Sequence, residues 1–126
     1  MTRLQIVIFS TVAALAPMQA LHATEYSKLV TLTGVETHAA VRPASPSSQG
    51  REFLHLTASP AWAVHSGGGG ALCNEEAALL PVNNQMMRAT ALAAIASGSI
   101  VFVVVDNTLA GIGGVCQITL LDIKVD

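Results

Sequence analysis

Residues 28–35 (KLVTLTGV) are dominated by Leu, Val and Thr, apolar and polar positions in a mix that predicts a strand. Residues 53–57 (FLHLT) repeat the pattern, and 61–65 (AWAVH) resume it after Pro60. Between them, 42–51 (RPASPSSQGR) is a polar loop with two prolines and three serines. Residues 77–82 (AALLPV) predict a short strand that Pro81 confines to an edge or brings to an end. Residues 100–105 (IVFVVV) form the strongest strand signal, an unbroken apolar run that predicts burial on both faces. Residues 117–125 (QITLLDIKV) predict the last strand. Their apolar phase shifts after Leu121, which a bulge near Leu120–Leu121 explains.

One segment breaks this pattern. Residues 85–97 (QMMRATALAAIAS) are rich in strong helix formers. Asn83–Asn84 supply an N-cap, and Gly98 suits the left-handed residue that ends a helix. At 100° per residue, Met87, Ala91, Leu92 and Ile95 fall on one side. Met86, Ala89, Ala93 and Ala96 fall on the other, and Arg88 is the only charge. A helix lying on one small core buries one face, so the second, small-residue face is either a weakly apolar exposed side of a strong helix former or an oligomer interface, and the interface is the reading carried forward. Several strands, one helix and two more strands predict a mainly β fold with one α-helix, a small OB-fold-like β-barrel.

The first residues are read apart from the fold. Arg3 precedes an uncharged apolar run, 6–16, which Pro17 breaks, with Ala20 and Ala23 beyond it. This is the layout of a signal peptide over 1–23, leaving 24–126 as the domain. The run is short for a membrane anchor, and no span is expected in the mature chain. Without Arg3 the formal net charge moves from −2 to about −3. The few scattered cations make no stripe for nucleic acid. Export to a secreted or periplasmic location makes a disulfide the expected state of the two cysteines, Cys73 and Cys116.

The chemistry is sparse. His38, His55 and His65 show no metal-ligand spacing, so neither a metal nor a cofactor is expected. Glu75 and Glu76 are adjacent and point apart on an extended chain, which suits a solvated turn better than joint acid–base work. Nothing marks Ser66 as an activated nucleophile, and the glycines 67–70 lack the ending of a phosphate loop. The chain reads as a non-enzyme. Trp62 and Phe53 are expected in the core, and Tyr26 is the freest aromatic ring.

The order of Cys73, a short strand, the helix QMMRATALAAIASG, the strand SIVFVVV and a closing strand after Cys116 resembles the B subunits of subtilase cytotoxin and, more distantly, of pertussis toxin. The resemblance covers about 73–126, and Glu25-Tyr26-Ser27 resembles the start of that family. It implies a secreted, disulfide-linked homo-oligomer, a pentamer whose helices line the centre. It further implies a cell-surface glycan as receptor and a separate catalytic A subunit as partner. Ser27, with Tyr26 beside it, falls where the subtilase type holds its sugar. The alternative is a secreted or periplasmic structural or accessory protein of the same fold without a glycan ligand.

Overall fold

The computed structural model describes residues 24–68, 72–109 and 111–125. The signal peptide read over 1–23 lies outside them. The chain forms β1 (Glu25–Thr37), a 3-10 turn (Pro46–Ser48), β2 (Glu52–Leu56), β3 (Ala63–Ser66), β4 (Ala77–Leu79), α1 (Gln85–Ser97), β5 (Ile100–Asp106) and β6 (Gln117–Ile123).

The strand pairings run β2–β4–β6–β5–β1 and return from β1 to β2. The ring is therefore closed, and the fold is mainly β with one helix, a small OB-fold-like barrel. Its long strand makes closure possible. The first half of β1 pairs with β5, and its second half pairs with β2 from Leu32 to Thr37. Leu32 and Gly34 face consecutive residues of β2, so Thr33 is an extra residue where the strand bends. β3 adds to the start of β1 outside the ring and pairs on that side alone among the described strands.

The last strand is irregular where the phase shift foretold it, but one position earlier. Val104 pairs with Leu120 and Val105 with Ile118, which leaves Thr119 as the extra residue of β6. β4 stops at Leu79, ahead of Pro81, so the proline marks a strand end. β5 is less buried than its composition predicts: Ile100 is half-exposed, while Val101, Val103, Val104 and Val105 are buried. Its first residues cover only the rim of the barrel.

Inward-facing residues of the ring make the main core, and Phe53, Leu79 and Val115 make a second, smaller cluster. Leu54 and Ile118 in the first and Leu79 in the second are fully covered, each contributing about 1.5–3 kcal/mol by burial. Ala91 and Ala94 of α1 close one part of the main core, with Met87 and Ile95 packed alongside. The weakest joint is β4 to β6, a single parallel pair, Leu79 with Gln117. The disulfide Cys73–Cys116 sits there, its two halves buried, and Leu79 N donates to Cys116 O at 2.9 Å beside it.

Candidate functional site

Alternation along β1 decides the fate of the residues read as a sugar site. Tyr26, Lys28, Val30 and Leu32 share the inward phase and are buried. Ser27 lies in the outward phase, half-buried, opposite Val104 of β5 and Ala63 of β3. Tyr26 is therefore 5% exposed and part of the core, which corrects the expectation of a free ring beside Ser27. A ring so enclosed has no face to offer a sugar.

Lys28 shares that inward phase, and its side chain is 0% exposed. A covered ammonium needs acceptors, and it has three. Nζ donates to Glu75 O at 2.5 Å, to Glu75 Oε2 at 3.3 Å and to Thr57 O at 3.3 Å. The Trp62 ring lies 4.5 Å below it, a cation–π contact. Trp62 in turn is held by Nε1 donating to Asn74 O at 2.7 Å and by its backbone N donating to Glu75 Oε2 at 3.0 Å. Glu75, expected in a solvated turn, is thus the counter-ion of a buried cation. The group fastens the segment before β3 to the segment after Cys73.

A second cluster joins the ends of β1 and β2. Glu36 Oε1 meets His38 Nε2 at 2.7 Å, and Oε2 meets His55 Nε2 at 2.9 Å. Arg42 Nη1 reaches His38 Nδ1. A guanidinium only donates, so Nδ1 accepts and the Nε2 proton goes to Glu36. Hydrogen bonds from His55 first, then from His38, hold the Glu36 carboxyl below its ordinary 4.5. Among the described residues no three His, Cys, Asp or Glu side chains are placed to hold a metal ion. The cluster is a hydrogen-bonded surface clasp.

No family model, curated protein or solved structure matches the chain. Its site has to be argued from its own residues.

The largest unexplained feature is α1. Asn84 caps it through Oδ1, which accepts from Met87 N at 3.0 Å, and Gly98 ends it at φ 65°. Ala91 and Ala94 face the barrel. Met86 is 83% exposed, and Ala89, Ala93 and Ala96 are exposed with it. Leu92, placed by helical angle with the inner residues, is exposed at 46% and enlarges the outer face. Even the hydroxyls on this helix turn inward to the backbone. Thr90 Oγ1 donates to Met86 O at 3.0 Å and Ser97 Oγ to Ala93 O at 2.9 Å. The outer face is thereby mostly methyls, a thioether and a leucine, with Gln85 at its N-terminal end and Ser97 at its C-terminal end.

Sequence reasoning missed the two clusters for different reasons. Lys28 carries a usable signal, since it stands in phase with Tyr26, Val30 and Leu32. The Glu36 group carries none, because His55 reaches Glu36 only through the offset register of β1 on β2.

Proposed function

We propose that this chain is an exported, non-enzymatic module that assembles into a homo-oligomer, a pentameric ring being the leading arrangement, with the outer face of α1 at the subunit contacts. The observation that carries the reading is that face: Met86, Ala89, Leu92, Ala93 and Ala96 are uncovered on one chain. Small side chains let helices approach closely, and a contiguous apolar patch of this kind marks an interaction surface. The free side of β3 offers a second contact of a different kind, an unpaired strand edge. The disulfide supports export, because such bonds persist in oxidising compartments.

The resemblance to toxin B subunits points in the same direction. It adds a cell-surface glycan as receptor and a catalytic A subunit as partner. With Tyr26 in the core, Ser27 is the anchor left for the glycan, and assembly is the better-supported part of the reading. The test is Ala93→Glu, which brings a carboxylate from each subunit into the contact without a counter-ion. The variant is expected to sediment as a folded monomer while the parent sediments as an oligomer. Equal sedimentation of the two would remove α1 from the interface.

A further inference from the structure

Arg51 differs from every other charged residue discussed above. Its place is fixed by the backbone, whatever its side chain does. Gly50 adopts the left-handed φ of 64° that turns the chain into β2. Arg51 N then donates to Ser48 O at 3.1 Å, and Arg51 O accepts from His38 N at 3.0 Å. Yet its side chain has no ion-pair or hydrogen-bond partner among the described residues, and its Nε is buried. A guanidinium keeps its charge and presents five donors in a planar fork. A covered donor without an acceptor is costly and rare, so it calls for a reason.

Arg51 lines a cleft of about 120 Å³ together with Glu52, Asn83, Asn84, Gln85 and Arg88. Arg88 Nε is engaged by Glu52 Oε2 at 3.0 Å. Two guanidiniums thus line the cleft with one carboxylate, which pairs with Arg88 alone, so the cleft carries one positive charge in excess on a chain that is negative overall. Asn83, held at φ 60°, and Gln85 add neutral donors and acceptors. The cleft also adjoins the first turn of α1, whose unspent amides favour negative charge on the same side. Its volume exceeds the roughly 10–15 Å³ that one water needs but falls below the several hundred of a drug-sized site.

We propose that this cleft binds a small monoanionic carboxylate, with the two terminal nitrogens of the half-buried Arg51 taking the carboxylate oxygens and the side-chain amides taking hydroxyl or amide groups of the ligand. The unit excess charge matches a monoanion. The planar fork matches a carboxylate two-to-two, as a lysine does not. The site is built from residues of one chain and lies at the first turn of α1, where Gln85 adjoins the outer face.

The test follows the Arg51 Nε–H signal of the purified protein by NMR during titration with sodium acetate, sodium glucuronate, inorganic phosphate, sulfate or glucose. Acetate or glucuronate is expected to shift it saturably in the millimolar range, while phosphate and sulfate bind at least about tenfold more weakly and glucose gives no shift. In calorimetry, Arg51→Gln is expected to lose the binding, and Arg51→Lys to keep less than about a tenth of it. Arg51→Gln is also expected to melt at or above the parent temperature, since it removes a covered donor that has no acceptor. Three results would each overturn the proposal: no saturable shift with either carboxylate, tighter binding of the tetrahedral anions, or a lower melting temperature for Arg51→Gln.

Discussion

The barrel interior and the outer face of α1 are built from the same kinds of residue and treated in opposite ways. Inside, the apolar residues are covered and the joints are fastened. The disulfide closes the single-pair joint of β4 and β6, and Lys28 is surrounded by acceptors and a ring. Outside, Met86, Ala89, Leu92, Ala93 and Ala96 are apolar like the residues beneath them and are exposed among the described residues. Apolar character alone does not tell inside from outside on this helix. What differs is the partner, which for one face is the barrel and for the other, on our reading, is another copy. Changes inside should therefore cost stability, and changes outside should cost assembly.

The largest effect belongs to the disulfide. It closes a loop of 43 positions, for which chain entropy gives about 4 kcal/mol. Replacing Cys73 and Cys116 with Ser should lower stability in denaturant by up to that amount and expose the β4–β6 joint to amide exchange first. Unchanged stability would mean that the joint is held by other contacts.

Lys28→Ala comes next, at about 3 kcal/mol, because it strands Glu75 O and Thr57 O and empties the space under Trp62. Thermal unfolding should shift down by more than about 10 °C. Lys28→Met, which refills the volume, should recover the packing part of the loss but not the part due to the acceptors left without a donor. Equal melting of Lys28→Ala and the parent would contradict the assignment of Lys28 as a fastener.

The smallest effect is expected at Glu36, on the surface. Its folded-state pKa is lowered, so its contribution is present above the ordinary 4.5 and is lost as pH falls below that value through the lowered one. Exposed pairs contribute at most about 1 kcal/mol. The stability difference between the parent and Glu36→Gln should therefore shrink as pH falls below 4.5. A difference that grows on acidification would reverse the sign of the argument.

Much of the fold was legible because its signals are local. The helix bounds follow from composition with Asn84 and Gly98 at the ends, and the disulfide was legible in an even count of cysteines behind an expected signal peptide. The bulge in β6 was visible as a phase shift, and only its position, at Thr119, needed the partner strand. The site was less legible because burial is a property of neighbours. Tyr26 looked free from its place near the chain start, yet β1 begins at Glu25 and turns the ring inward. Leu92 looked internal by helical angle, but the barrel contacts only the strip around Ala91 and Ala94. Arg51 gave no sign at all, because what distinguishes it is the absence of a partner.

The central claim is that the outer face of α1 is covered by further copies of the same chain. Light scattering coupled to size exclusion, on the unmutated protein at micromolar concentration, measures this directly. The account predicts one discrete species whose mass is a small multiple of the subunit, five being the leading number. A mass equal to one subunit would contradict it, because Met86 and its neighbours would then stand bare in solution.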